Sequence, residues 1–156
     1  IVICERNPKN KKSGVLYLLP RNLYVGMGCK KGTKKEILEA ELLKTLEKHG
    51  FLPEQIRALG SIDLKREEDG LLELADSLGV EFLTYSAESL QEILAVSSSS
   101  EFVRGVTGVD NVCERAAKKM CPEGVMVQEK VCLNQCTAAV VCGEVMVRFG
   151  KEEEER

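Results

Sequence analysis

The sequence contains no tryptophan, and aromatic residues make up only 4% of its 156 residues. It therefore lacks the aromatic platforms on which single-stranded nucleic acids stack. Its 22 basic and 25 acidic residues give a formal net charge of −3, without the strong basic excess of nucleic-acid-binding domains. No apolar run approaches the roughly 20 residues that a membrane-spanning helix needs. We therefore expect no nucleic acid and no membrane among its partners.

Metal and nucleophile signatures are equally sparse. The seven cysteines include no C-x-x-C pair of the kind that structural zinc sites use. On one strand Cys132 and Cys136 would share a face but lie too far apart for a single metal, so buried thiols are favoured over a metal site. A Cys–His nucleophile has little support because His49, the only histidine, ends a predicted helix, and no G-x-S-x-G elbow occurs. An odd number of cysteines without a visible secretory signal predicts reduced thiols in a cytoplasmic protein.

Strand-like and helix-like segments alternate along the chain. Helical periodicity marks residues 33–49, 71–78, 87–94 and 112–120. Apolar segments predict strands at 23–25, 58–63 and 80–85, and an antiparallel hairpin at 125–128 and 138–149. This order predicts an α/β fold, a single three-layer domain with a mostly parallel central sheet and helices on both faces.

We expect this domain to span residues 19–150. Residues 1–18 would be the remnant of an upstream linker or strand, because the chain starts at Ile1 rather than at methionine. They include a basic segment at 7–14 that is predicted to be a solvated hairpin tip. Residues 151–156 form a block of like charge and are predicted to be a charged tail.

The first candidate for chemistry is the glycine-rich segment between a predicted strand and the helix after it. It comprises Gly26, Met27, Gly28, Cys29, Lys30, Lys31, Gly32 and Thr33. Its glycines would let the backbone approach a ligand closely, and its two lysines add positive charge. Thr33 is predicted to be the N-cap of the helix, with Glu36 completing a capping box, and N–H groups there suit an anion. The spacing fits neither a P-loop nor a full dinucleotide fingerprint, so anion binding and a tight turn without a ligand remain equal alternatives.

A second candidate lies at the carboxyl end of the next strand, where open α/β sheets bind ligands. Ser61, Asp63 and Lys65 lie there. Asp63 could act as a general base and Lys65 could pair with a ligand carboxylate. In the alternative interpretation, which the pattern alone favours, Asp63 caps the next helix and Lys65 is solvated.

A third segment precedes the last predicted helix. Gly108 marks a turn, and Asp110 or Asn111 can cap the helix. Glu114 lies in the first turn, where a negative charge favours the helix dipole, so helix stabilisation is its default role. The serines at 97–100 are either a flexible loop or part of the same ligand face.

Four segments, in the same order, resemble the carboxy-terminal domain of the cobalamin-biosynthesis protein CbiG, a domain that the stand-alone CobE protein shares. They are LPRNLYVGMGCKKGT at 19–33, ALGSIDLK at 58–65, FLTYSAE at 82–88 and TGVDNVCERAA at 107–117. The resemblance extends over roughly residues 15–149. Gln128 and Glu129 depart from it, because a proline is expected before Lys130.

The resemblance implies a role in the anaerobic branch of vitamin B12 synthesis. In that role water opens the δ-lactone ring of cobalt-precorrin-5A, and a two-carbon fragment leaves as acetaldehyde, giving cobalt-precorrin-5B. A base must assist the water, and we predict Asp63 or Glu114. The substrate is a cobalt tetrapyrrole edged with carboxylates, so the cobalt belongs to the substrate and we expect no cofactor. The predicted substrate-binding residues are Gly26, Gly28, Cys29, Lys30, Lys31, Gly32, Thr33, Ser61, Lys65, Gly108 and Lys130.

Two alternatives stay open. In the first, the domain is a non-catalytic module that binds or hands over the tetrapyrrole, and catalysis belongs to the N-terminal domains of a longer protein. In the second, it is a nucleotide- or phosphate-binding α/β domain that is unrelated to cobalamin.

Overall fold

The computed structural model describes residues 1–94 and 108–147. The strands are β1 (Val2–Ile3), β2 (Tyr17–Leu18), β3 (Leu23–Cys29), β4 (Ile56–Ile62), β5 (Glu81–Tyr85), β6 (Val125–Cys132) and β7 (Cys136–Cys142). The helices are α1 (Lys35–Lys48), α2 (Asp69–Leu78), α3 (Ala87–Gln91) and α4 (Val112–Met120), with 3-10 turns at Pro53–Gln55 and Asp63–Lys65. No helix in the described part of the chain is long and apolar enough to span a bilayer.

The central sheet has five strands in the order β5-β4-β3-β7-β6. Strand β4 pairs in parallel with both β3 and β5, whereas β7 pairs antiparallel with both β3 and β6. Strands β3, β4, β5 and β6 therefore all run in the same direction. The α/β fold with a closing antiparallel hairpin is thus confirmed.

Helices cover both faces of this sheet. On one face Leu23, Val25 and Met27 of β3 form a core cluster with leucines of α1 and α2, among them Leu42 and Leu74. All five side chains are at most 1% exposed, and burying each one stabilises the fold by roughly 1.5–3 kcal/mol. Helix α4 covers the other face, where its contacts are chiefly with β3, β4 and β7. The sheet is therefore the middle of three layers, as the sequence predicts.

Gly26 and Gly28 belong to strand β3 and not to the loop in which the sequence pattern places them. A Cβ atom at Gly26 would lie 1.7 Å from the carbonyl oxygen of Cys113, in the first turn of α4. Such a distance is far inside van der Waals contact, so only glycine lets α4 lie this close to the sheet. The turn between β3 and α1 is therefore confined to residues 30–34.

Two further predictions about local structure are wrong. Thr33 is not the N-cap of α1, which begins at Lys35 after Lys34 without a side-chain cap. The Thr33 hydroxyl instead donates to the carbonyl oxygen of Lys30 at 2.7 Å and closes the turn on itself. At the amino end of the chain, β1 and β2 pair in parallel, so the basic segment at 7–14 is not a hairpin tip.

The helix ends largely follow the predictions. Gly50 and Gly79 follow α1 and α2 with φ of 74° and 63°, the left-handed conformation that glycine adopts without strain.

Strand β6 continues to Cys132, four residues beyond the predicted end, and β7 ends at Cys142, short of the predicted residue 149. Residues 95–107 and 148–156, which include the serines at 97–100 and the charged tail, lie outside the described part.

Candidate functional site

A cleft of about 550 Å³ opens at the edge of the sheet where β3, β4 and β6 end and where β7 begins. The amino terminus of α4 forms one wall through Asn111, Val112 and Cys113. The 3-10 turn after β4 and the β6–β7 hairpin form others. The remaining lining residues are Gly28, Cys29, Lys30, Lys31, Ser61, Ile62, Lys65, Lys130, Cys132, Leu133, Gln135, Cys136 and Thr137.

The charges of the cleft all have one sign. Lys30, Lys31, Lys65 and Lys130 line it, and no carboxylate side chain lies among its lining residues in the described part of the chain. Thiols and aliphatic side chains make up much of the remaining lining. Lysines around an apolar surface concentrate positive potential where it is screened less than in open solvent. The arrangement suits a ligand with an apolar body and several anionic groups.

The turn at residues 30–34 is fixed to both neighbouring walls. The Lys30 N–H donates to the carbonyl oxygen of Gln135 in the β6–β7 hairpin at 2.9 Å. On the other side, the Gly32 N–H donates to Glu68 Oε1 at 2.6 Å, and Glu68 Oε2 lies 3.1 Å from Lys65 Nζ. Lys65 is thus ion-paired and not simply solvated. The turn, the hairpin and the β4–α2 connection form one hydrogen-bonded unit.

The ionisation of Glu68 follows from these contacts. Burial disfavours its charged form, but the hydrogen bond from Gly32 and the ammonium groups of Lys65 and Lys31 outweigh burial, and the pKa of Glu68 is lowered. Glu68 is therefore a carboxylate at neutral pH. Sequence reasoning missed this residue. The one available signal was its position three residues after Lys65, at the start of α2.

Of the two predicted catalytic acids, Asp63 lies beside the cleft but not in its lining. Its Oδ1 atom accepts from the guanidinium of Arg66 at 2.9 Å, and its side chain is 38% exposed. It begins the 3-10 turn that follows β4 and does not cap helix α2, which starts at Asp69. Its role as a general base stays a prediction.

Glu114, the other predicted acid, is 1% exposed in the first turn of α4. Its Oε1 atom accepts from the backbone N–H of Lys130 at 2.6 Å. Lys130 lies where the β6–β7 register shifts, so the strand turns an N–H group towards the helix there. Glu114 therefore contacts the backbone that carries a cleft lysine and is itself outside the lining. Its catalytic role also stays a prediction.

The structure does not place all the predicted substrate-binding residues together. Gly28, Cys29, Lys30, Lys31, Ser61, Lys65 and Lys130 line the cleft. Gly26, Gly32 and Thr33 are not among its lining residues, and Gly108 lines a smaller pocket of about 310 Å³ beside Asp110 and Arg115. Ser61 donates its hydroxyl to the carbonyl oxygen of Met27 at 2.7 Å, which fixes β4 against β3. The prediction of Asn111 as a cap is confirmed, because its side chain accepts from the Glu114 N–H at 3.4 Å.

Four of the seven cysteines line the cleft as free thiols. Burial raises the pKa of Cys113 to about 12 and that of Cys136 to about 11. Burial also raises the pKa of Cys29, against the opposing charge of Lys65. Cys132 is exposed, so the prediction of buried thiols is wrong for this residue. Within the described residues no three His, Cys, Asp or Glu side chains form a group that could hold a metal ion.

The fold and the cleft define a class of protein, namely α/β domains with a lysine-lined cleft at the carboxyl edge of the sheet. Residues 23–141 match the family described as "Cobalamin synthesis G C-terminus", and the chain belongs to this family. It is 38% identical over 122 residues to the cobalt-precorrin-5A hydrolase of Priestia megaterium, a match that covers 75% of this chain and 32% of that protein. The chain thus spans about a third of the length of this hydrolase.

A second relative is much shorter. Protein CobE of a Sinorhizobium species is 31% identical over 120 residues, which are 76% of this chain and 78% of CobE. A crystal structure of CobE, a protein from the cobalamin biosynthetic pathway, superposes with a TM-score of 0.72 at 28% identity. That match covers 77% of this chain and 92% of the CobE chain. The same domain therefore occurs both within a longer hydrolase and nearly alone.

Proposed function

We propose that this domain binds cobalt-precorrin-5A in the lysine-lined cleft and takes part in the hydrolytic opening of its δ-lactone ring, with loss of acetaldehyde to give cobalt-precorrin-5B. The observation that carries the proposal is the set of four lysines, with no carboxylate among the described lining residues, at the carboxyl edge of the sheet. The 38% sequence identity to a cobalt-precorrin-5A hydrolase is the reason for proposing this particular substrate. The cobalt enters as part of that substrate, and the place of action is cytoplasmic.

The chemistry of the ligand matches the chemistry of the cleft. A cobalt tetrapyrrole presents an apolar macrocycle whose edge carries carboxylates. Lys65 and Lys130 are half-buried, whereas Lys30 and Lys31 are exposed at the rim. Charge-assisted hydrogen bonds to the two half-buried ammonium groups are stronger than those at the rim because solvent screens them less. We therefore assign the largest share of carboxylate binding to Lys65 and Lys130.

Lactone opening requires water to add to the ester carbonyl carbon while a base accepts the proton. The negative charge then develops on the carbonyl oxygen, and an ammonium group fixed within hydrogen-bond distance stabilises it. Lys65 is suited to this role because Glu68 fixes its ammonium group at the cleft wall. Asp63, two residues before Lys65, is one of the two predicted bases, and it could act only after its pairing with Arg66 opens.

The second candidate is a corrinoid-binding or handover module whose catalytic groups lie in other domains of a longer protein. Two observations favour it. Lysines are the only ionisable groups besides thiols among the cleft-lining residues that the structure describes, so an ordinary proton acceptor is missing from that set. In addition, the chain spans about a third of the hydrolase that it matches.

One experiment separates the two candidates. The chain is incubated anaerobically with cobalt-precorrin-5A while acetaldehyde release and corrinoid absorbance are followed together. Acetaldehyde release supports catalysis by this domain, and an absorbance change without acetaldehyde supports a binding module. If acetaldehyde is not released and the corrinoid absorbance does not change, the result contradicts corrinoid binding by the cleft.

Matched lysine variants test whether the cleft is the binding site. Lys130→Met removes a charge from the cleft, and Lys44→Met removes one from the exposed surface of α1, where the Lys44 side chain is 70% exposed. We expect Lys130→Met to weaken corrinoid binding about tenfold, the equivalent of one charge-assisted hydrogen bond of about 1.5 kcal/mol. Lys44→Met should leave binding within about twofold. Equal effects of the two variants would place binding outside the cleft.

A further inference from the structure

Glu68 uses both of its carboxylate oxygens to connect two walls of the cleft. Oε1 accepts from the backbone N–H of Gly32 at 2.6 Å, and Oε2 lies 3.1 Å from Lys65 Nζ. The first contact spans 36 residues of sequence and the second only three. Glu68 therefore joins the turn after β3 to the turn after β4.

The contacts of Glu68 are sheltered from solvent. Its side chain is 10% exposed and that of Lys65 is 19% exposed, whereas Asp63 and Arg66, the next ion pair along the chain, are 38% and 68% exposed. Exposed pairs contribute little to rigidity because solvent competes for both partners. A sheltered pair whose carboxylate is also bonded to a backbone N–H holds its lysine in one place.

We propose that Glu68 is a positioning residue for anion binding, which holds the Lys65 ammonium group and the Lys30–Lys31 turn in the arrangement that receives the carboxylates of the ligand. This inference rests on the proposed function of the cleft. Glu68 itself does not contact the ligand, since it lies outside the lining. It acts through Lys65 and through the backbone at Gly32.

The two possible effects of Glu68 have opposite signs. As a negative charge near the site, it opposes the approach of an anion, so its neutralisation alone would tighten anion binding. As a positioning group, it removes in advance the side-chain entropy that an unpaired lysine loses when a ligand orders it. A weaker complex after Glu68→Gln therefore shows that positioning outweighs repulsion, and simple electrostatics cannot produce that result.

The experiment compares Glu68→Gln with Glu67→Gln, a substitution of the adjacent carboxylate, which is exposed. Both variants lose one negative charge at neighbouring positions. The probe is cobyrinic acid, a cobalt corrinoid with free peripheral carboxylates, and binding is measured by calorimetry and by corrinoid absorbance. We expect Glu68→Gln to bind about tenfold more weakly than the wild type. Glu67→Gln should bind equally well or slightly more tightly.

A second measurement reports on the apo protein without any ligand. Hydrogen exchange of the Gly32 amide should be slow in the wild type and in Glu67→Ala, and at least several-fold faster in Glu68→Ala, which removes the acceptor oxygen that Glu68→Gln keeps. In a Lys65→Met background, Glu68→Gln should lose most of its effect on cobyrinic acid binding, because Glu68 acts largely through Lys65. A general loss of structure would instead accelerate exchange across the core and would add to the effect of Lys65→Met.

The outcomes distinguish this inference from the proposed function. If the wild type does not bind cobyrinic acid, the proposed function fails and the Gly32 exchange rates alone decide whether Glu68 holds the turn. If the wild type binds and Glu68→Gln binds equally or more tightly, Glu68 is only a repulsive charge and the inference is overturned. Unchanged exchange at Gly32 in Glu68→Ala overturns it as well.

Discussion

Replacing Gly26 by alanine should separate helix α4 from the sheet. The new Cβ atom would lie 1.7 Å from the carbonyl oxygen and 2.7 Å from the carbonyl carbon of Cys113, and 3.0 Å from the backbone nitrogen of Ala117. All three atoms belong to the backbone of α4, so no change of rotamer can relieve the overlap. The helix must retreat by roughly 2 Å to restore a contact distance near 3.5–4 Å.

The magnitude follows from what such a retreat would uncover. The first turns of α4 bury Val112, Cys113, Ala116 and Ala117 against the sheet, each at most 7% exposed. A gap of 0.5–1 Å already loses a quarter to a half of each dispersion contact, and overpacking of a rigid core costs about 1–3 kcal/mol or more. We expect a loss of about 3 kcal/mol in the free energy of unfolding. For a chain of this length that corresponds to a decrease of roughly 10 °C in Tm.

Gly28→Ala is the matched control, because Gly28 lies on the same face of the same strand. Among the described residues, a Cβ atom there would meet only the Thr137 Oγ1 atom, at 2.9 Å, and rotation of that side chain relieves the contact. Thermal unfolding followed by circular dichroism should therefore show a decrease of only a few degrees. A Gly26→Ala variant that is no less stable than Gly28→Ala would refute the assignment of Gly26 to close helix packing.

Three further predictions concern ionisable groups. Glu114→Gln keeps an acceptor for the Lys130 N–H and should retain turnover within about threefold. Glu114→Leu removes that acceptor and should lower the free energy of unfolding, measured with denaturant, by about 1–3 kcal/mol. A hundredfold loss of turnover in a folded Glu114→Gln variant would instead identify Glu114 as a general base. Iodoacetamide at pH 8 should label exposed Cys132 first in peptide mass spectra and Cys136 slowly, because burial raises the Cys136 pKa to about 11; equal rates would contradict this. The pKa of Glu68 is lower in the folded state than in the unfolded chain, so the ionised carboxylate stabilises the fold. The Tm of the wild type should therefore exceed that of Glu68→Gln by its full amount above about pH 5, and the difference should vanish as the pH falls through the lowered pKa. A difference in Tm that persists at pH 2 would contradict this.

Much of the fold could be predicted because its signals are local. The leucines of α1 and α2 recur with helical spacing, and Gly79 ends α2 in the left-handed conformation that its position predicts. The Asn111 cap is likewise encoded within a few residues of α4. Such features need no knowledge of the partner elements.

The sequence-based predictions are wrong where the structural role of a residue depends on a partner that is distant in the sequence. The sequence pattern predicts that Gly26 belongs to a ligand-binding loop, because its actual partner, the backbone of Cys113, is far away in the sequence. The glycine pattern itself does not distinguish a close ligand from a close helix. Glu68 was not predicted to be a site residue for the same reason, since its hydrogen bond to the Gly32 N–H depends on how α2 packs beside the turn. The exposure of Cys132 depends on where β6 ends, and strand ends are poorly marked in the sequence.

Two carboxylates explain how an acidic chain forms a basic cleft. Glu68 and Glu114 each accept a backbone N–H at 2.6 Å, from Gly32 and from Lys130 respectively. Each carboxylate therefore fixes a segment that carries cleft lysines, and neither residue is among the lining residues of the cleft. Acids used in this way stabilise the arrangement of the lysine-lined cleft without being among its lining residues. Hydrolysis at this site would require a proton acceptor, either one of the two predicted acids, Asp63 and Glu114, or a group outside the described part of the chain, so anion binding and turnover must be measured separately.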